Sequence, residues 1–180
     1  MKKVRAEVPW DRLLRYACYR IIMLVYRALL VSPLQVALLR CCGARIGANV
    51  VIEPSTFYNL YVAGFRHLSI GNNVYVGPEC LFDLANPVVL ADNVTLAARV
   101  NIATHCNVGY ADHPLQARLP HVDAGVTVAA GSFLGTGCVI LPGVTCGELT
   151  VVAAGAVVPQ SLPGNAVYAD VPARALRQLS

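Results

Sequence analysis

Residues 126–158 read VTVAAGSFLGTGCVILPGVTCGELTVVAAGAVV. Every sixth residue from Val128 is aliphatic or small and apolar: Val128, Leu134, Ile140, Cys146, Val152 and Val158. Four places after each, up to the last, come Ser132, Cys138, Val144, Thr150 and Ala156, all small or β-branched. A period of six fits neither the 3.6-residue turn of a helix nor the alternation of a long strand. It fits a coil of short edges with a turn at each corner. The aliphatic residue points inward on each edge, and the small residue sits near the corner, where space is tight. Three such edges close a coil of about 18 residues, so like residues stack in columns.

The same frame runs upstream through Ile46, Ile52, Tyr58, Gly64, Ile70, Val76 and Phe82. Two extra residues then shift it to Leu90, Leu96, Ile102 and Val108. The repeat predicts an all-β domain, a parallel β-helix over residues 43–160, with a preceding segment 1–42 and a closing segment 161–180. After Val108 the frame resumes only at Val128. The stretch between, GYADHPLQARLPHVDAG (109–125), reads as a loop protruding from the coil, a place where binding residues tend to sit.

Composition agrees with a packed solenoid. Of 180 residues, 56% are hydrophobic and 13% charged, against about 25% charged in ordinary soluble domains. That excludes intrinsic disorder and disfavours a coiled coil. Charge is unevenly placed. Residues 1–45 carry nine Lys/Arg and two acids, a net +7, while the rest carry five and eight, a net −3. A nucleic-acid partner is not expected, because the larger part would repel phosphate. The seven cysteines form no Cys-x-x-Cys and follow no zinc spacing, which suits reduced thiols in a cytoplasmic compartment.

Residues 10–42 are apolar but studded with arginine. The longest uncharged run, Ala28–Leu39, is divided by Pro33 and falls short of the roughly 20 residues that span a bilayer. At 100° per residue Arg12, Arg15, Arg20 and Arg27 share one side, and Leu13, Cys18, Ile21, Ile22, Val25 and Leu29 cover the rest. Such a basic amphipathic helix suits peripheral contact with an anionic membrane surface. Alternatively, its apolar face packs on the coil or on another subunit.

The stretch 126–158 and the following PGNAVYADVPARALRQL resemble the hexapeptide-repeat O-acetyltransferases of sugars and polysaccharides, of the maltose and colanic-acid type. The closing segment of that family usually runs P-x-N-x-V-x-x-G-x-P-A-K/R. The resemblance covers residues 43–178. It implies a left-handed coil with a short C-terminal helix, acetyl-CoA as donor, a saccharide acceptor and a homotrimer with active sites in the clefts between subunits. This chain departs from the pattern in carrying Asp170-Val171 where the family commonly has Gly-Asn before Pro-Ala.

Transfer to a sugar hydroxyl needs a base that takes the proton as the oxygen attacks the thioester. An imidazole changes charge near neutral pH and suits that role. His105, in Ile102-Ala-Thr-His-Cys-Asn107, stands away from the inward position just before the loop, and the resemblance also points to it. His113, in Asp112-His-Pro-Leu115, is the alternative base or an acceptor contact. Asp83 and Asn86, at the two-residue insertion one coil earlier, are candidate acceptor residues; Asp83 suits a turn equally well. His67 and His121 read as surface or structural residues. Ser69 and Thr104 lack the other members of a triad. His105, His113 and His121 are spaced evenly by eight, but one branch of the family that holds zinc uses a close His pair absent here, so no metal is expected. For the donor, the resemblance implies a pantetheine arm beside Gly135, Gly137, Ala154 and Gly155, with Arg174 and Arg177 toward the nucleotide phosphates. The expected activity is O-acetylation by direct transfer. The other functional class is a non-catalytic β-helix used as a scaffold.

Overall fold

A computed structural model describes residues 10–109, 112–119 and 121–179. Two helices, α1 (Trp10–Ala28) and α2 (Ser32–Cys41), precede a run of short strands. Each coil gives one strand to each of three parallel sheets. The first sheet takes β1 (Arg45–Ile46), β4 (Leu68–Ile70), β7 (Val88–Leu90), β12 (Val126–Val128) and β15 (Thr145–Cys146). The second takes β2 (Val51–Ile52), β5 (Tyr75–Val76), β8 (Thr95–Leu96), β13 (Phe133–Leu134) and β16 (Thr150–Val152), then β18 (Ala166–Ala169) and β19 (Arg174–Gln178). The third takes β3 (Thr56–Tyr58), β6 (Leu81–Asp83), β9 (Asn101–Ile102), β14 (Val139–Ile140) and β17 (Val157–Val158).

Register puts the six-residue series into three interior columns. Ile70, Leu90, Val128 and Cys146 stack in the first, and Ile52, Val76, Leu96, Leu134, Val152 and Tyr168 in the second. Phe57, Phe82, Ile102, Ile140 and Val158 form the third. All are buried, as are the small corner residues Ser132, Cys138, Val144, Thr150 and Ala156. The corner between the first two sheets needs one left-handed residue per coil. Asn49, Asn73, Asn93, Gly131, Leu149 and Asn165 supply it, and the first three asparagines hydrogen-bond into a ladder.

The frame differs from the expected one at three places. Phe57, not Tyr58, is the inward residue of the first coil. Gly64 lies in a 3₁₀ turn (Gly64–His67) within an excursion that adds six residues between β3 and β4. Val108 lies in the loop after β10 (His105–Cys106) instead of on an edge. The C-terminal helix is not formed. Residues 174–178 pair antiparallel with β18, so the coil's second sheet runs on past residue 160. The cause is local. Ala166 and Tyr168 keep the buried side of the second sheet, leaving on β18 an edge of unpaired backbone that residues 174–178 fill.

The helices close the N-terminal end of the coil. Met23, Tyr26, Val36 and Leu39 are buried, and Tyr26 meets Phe57 edge-on with centroids 5.7 Å apart. Phe57 in turn stacks on Phe82 at 5.2 Å and meets Phe65 at 5.5 Å. Ser32 Oγ accepts the Ile52 amide at 2.8 Å, and buried Gln35 donates to the Leu29 carbonyl at 2.8 Å, fixing the bend between helices. The other side of α1 remains uncovered, with Leu14, Ile21 and Leu24 each more than 60% exposed. Among the described residues no helix is long and apolar enough to cross a membrane.

Candidate active site

The eight-residue step from Phe82 to Leu90 makes a wide corner, and Asp83 sits at its start. Its carboxylate is fully buried, and every acceptor position is used. Oδ1 accepts from Asn59 Nδ2 at 2.8 Å and the Ala85 amide at 3.1 Å. Oδ2 accepts from the amides of Thr104 at 3.0 Å and His105 at 3.1 Å, and from His105 Nδ1–H at 2.5 Å. Burial alone would raise the Asp83 pKa. The hydrogen bonds from Asn59, His105, Thr104 and Ala85 outweigh it and hold the carboxyl below its ordinary value. An ionised carboxylate only accepts, so Nδ1 carries a proton, and in the neutral ring the lone pair is then on Nε2. Burial and the Asp83 charge push the neighbouring Tyr58 up to about 12.

His105 leaves the coil on β10, which pairs antiparallel with β11 (Val122–Asp123) as the stem of the protruding segment. Its side chain is one-third exposed and lines a cleft of about 590 Å³ with Arg15, Tyr61, Asn86, Asn107, His121 and Asp123. Asn86 holds the corner together. Its amide donates to Thr104 Oγ1 at 3.0 Å, and its Nδ2 donates to the Thr104 carbonyl at 2.9 Å and to Asp123 Oδ1 at 3.1 Å. His121 Nε2–H donates to Asp123 Oδ2 at 2.5 Å. The bonds from His121 and Asn86 hold the Asp123 carboxyl below its usual range.

The structure thus brings together Asp83, Asn86 and His105. Asp83 serves the imidazole from below instead of facing the cleft. His113 stands apart in the loop, where its Nδ1 accepts the Leu115 amide at 3.1 Å, and it does not line the cleft. Residues Tyr110, Ala111 and Pro120 of the expected loop 109–125 lie outside the described residues. His67, expected to be a surface or structural residue, donates Nδ1–H to the Leu84 carbonyl at 3.0 Å. Thr104 is buried and donates to the Asp83 carbonyl, and Ser69 accepts from Arg45 on the first sheet. Burial pushes Cys138 and Cys146 up to about 12, so neither is a nucleophile near neutral pH. Among the described residues no three His, Cys, Asp or Glu side chains are grouped to hold a metal.

Gly137 and Gly155 have φ of +68° and +70° at the corner leading into the third sheet, and a Cβ on either would meet nothing within 4 Å. Gly135, by contrast, is packed against Ala154 N and the Val152 carbonyl of the next coil, where a Cβ would sit at 2.6–2.7 Å. This corner and His105 stand at opposite ends of the third sheet's face, because β14 pairs with β9. Arg174 lies opposite Ala169 and Arg177 opposite Val167, and a register shift between Val167 and Tyr168 puts both arginines on the outward face. Asn59, Tyr61 and Asp123 were not singled out in the sequence, and Arg15 was named only for the basic side of the helix. Asn59 is one residue past Tyr58, which pairs with Asp83, and Asp123 pairs with His105 across the stem. Neither pairing leaves a mark in the six-residue period.

No family model matches the chain. It is 28% identical over 141 residues to the galactoside O-acetyltransferase of Escherichia coli, covering 76% of this chain and 64% of that protein. It is 31% identical over 144 residues to the Escherichia coli protein named "Putative colanic acid biosynthesis acetyltransferase WcaF", covering 78% and 72%. A hexapeptide-repeat-containing acetyltransferase from Vibrio cholerae superposes with a TM-score of 0.77 at 22% identity, over 97% of this chain and 95% of that one. A galactoside acetyltransferase in complex with coenzyme A superposes with a TM-score of 0.70 at 22% identity, over 99% and 90%.

Proposed function

The chain belongs to the family of hexapeptide-repeat acetyltransferases, and from that premise we propose that it transfers an acetyl group from acetyl-CoA to a hydroxyl of a saccharide. The observation that carries the reading is the buried Asp83 carboxylate bonded to His105 Nδ1 at 2.5 Å at the edge of an open cleft. That bond leaves Nε2 as the base. Nε2 takes the acceptor's hydroxyl proton as the oxygen attacks the thioester carbonyl. The tetrahedral intermediate collapses, the carbon–sulfur bond breaks, and the proton passes to the departing thiolate. Transfer is direct, with no acyl-enzyme. Asp83 is a positioning residue: it fixes tautomer and ring and stabilises the imidazolium. Asn86, His121 and Asp123 offer polar groups to the acceptor.

The donor is read along the corner of Gly137, Ala154 and Gly155, with Gly135 tightening the coils behind it, and toward Arg174 and Arg177. Because this corner lies across a sheet face from His105, the reading pairs the His105 of one subunit with the corner of a neighbour in a homotrimer. The outward column of the second sheet supports such packing: Val51, Tyr75, Thr95, Phe133, Val151 and Val167 are in register, apolar except for Thr95, with Val51, Tyr75 and Phe133 at about 40% exposure. A left-handed winding belongs to the same reading and is supported by the superpositions. The exposed apolar side of α1, with its arginines, supports peripheral contact with the cytoplasmic leaflet.

The test is release of free thiol from acetyl-CoA in the presence of a panel of sugars. Acceptor-dependent release is expected. Release independent of every acceptor contradicts the reading in favour of thioester hydrolysis, and no release at all favours a non-catalytic scaffold.

A further inference from the structure

A second cavity, of about 270 Å³, lies between α1 and the third edge of the first coil. Tyr16, Tyr19, Leu24 and Tyr58 line it, and Arg20 and Arg27 stand among them. Both arginines are exposed, and among the described residues neither has an ion-pair partner. Leu24 and Tyr16 are 67% and 52% exposed, so the cavity opens on the uncovered side of the helix. Its inner end meets the reaction centre. Tyr61 lines both this cavity and the His105 cleft, and Asn59 lines it while donating to Asp83.

Resting on the transferase reading above, we propose that this cavity is an acceptor subsite for a phosphorylated lipid chain that carries the saccharide. The chemistry is complementary at each part. Aromatic rings and Leu24 take an apolar chain, and the two guanidiniums, that of Arg20 lying over the Tyr16 ring at 6.0 Å and neither in an ion pair among the described residues, take a phosphate, which arginine binds through paired donors. The sugar would then extend past Asn59 and Tyr61 to His105. The uncovered apolar face of α1 beside the mouth lets the chain remain in a lipid surface while its head group is held. A saccharide without such a group would leave the arginines facing water.

Geranyl phosphate is a soluble probe of this subsite, and calorimetric titration of the full chain requires no turnover. Geranyl phosphate should bind, with geraniol, inorganic phosphate and uridine diphosphate each weaker. The Arg20→Gln/Arg27→Gln double variant should lose at least about tenfold in affinity, whereas Arg45→Gln, on the first sheet, should not. Leu24→Asp, at an exposed position that tolerates charge, should weaken the probe without lowering the melting temperature. Equal affinity in the double variant and wild type overturns the proposal. So does uridine diphosphate binding as tightly as geranyl phosphate, which would make the cavity a nucleotide site. If sugars are acetylated but geranyl phosphate does not bind, the subsite fails and the transferase reading stands. If the probe binds and no sugar is acetylated, whether free or joined through phosphate to a geranyl chain, the transferase reading fails.

Discussion

At the scale of single residues, Asp83 does the most with the least surface. Its two oxygens accept five hydrogen bonds, so an amide in its place sets a donor against donors in either orientation. Asp83→Asn should destabilise the fold by about 1–3 kcal/mol in denaturant titration and lower kcat by about 10²–10⁴. The pH dependence has a definite sign. The folded carboxyl titrates below its unfolded value of about 3.9, so its contribution is complete above that range and is lost as pH falls through the lower folded value. Wild type should therefore lose more stability than Asp83→Asn between about pH 4 and the folded pKa; parallel acid unfolding curves would contradict this. Leu149 makes the opposite case. It holds φ +55° at a corner position that neighbouring coils fill with Asn or Gly. Leu149→Asn should raise stability by about 0.5–1.5 kcal/mol, read as a higher melting temperature. His105 was legible in the sequence because an imidazole has no packing use at its place in the hexad. Its partner's role was not, since a two-residue insertion announces a wide corner but not which way the carboxylate points.

Among the elements, the strands were the most legible, because each buried residue of the period leaves one aliphatic mark. The excursion after β3 hid itself, since its six extra residues preserve the frame from Ile52 to Ile70. The C-terminal strand was hidden for another reason. ARALRQLS has good helix formers, and an edge strand's pairing energy comes from β18 rather than from its own residues. Helix α1 was legible as amphipathic, yet both sides of its apolar surface exist for different reasons. Tyr26 is fully buried against Phe57, so Tyr26→Ala should cost about 3–5 kcal/mol in chemical unfolding. Leu14→Ser, on the uncovered side, should leave that stability within about 0.5 kcal/mol while reducing sedimentation with anionic vesicles. Equal losses from both substitutions would contradict a two-sided helix.

For the whole molecule, the helices are part of the core, so a chain beginning at Cys42 would uncover Phe57 and Phe65. That truncation should aggregate on expression. A soluble, fully active product would contradict the role given to α1 and α2. The outward column of the second sheet belongs to the same scale. On the proposed homotrimer, wild type should have the mass of a trimer and Phe133→Asp that of a monomer without turnover, because that reading places donor corner and His105 on neighbouring subunits; an active monomer contradicts it. The solenoid as a whole was written in the sequence, since stacking repeats the same mark in every coil. The cleft was written there only in part, because it joins residues from α1, three coils and the loop stem. Its central element is the His105–Asp83 pair, and one comparison tests it most directly. His105→Ala should lower kcat for acetyl transfer by about 10²–10⁴ while leaving acetyl-CoA affinity nearly unchanged. Retention of turnover in His105→Ala, with its loss in His113→Ala, would contradict the account.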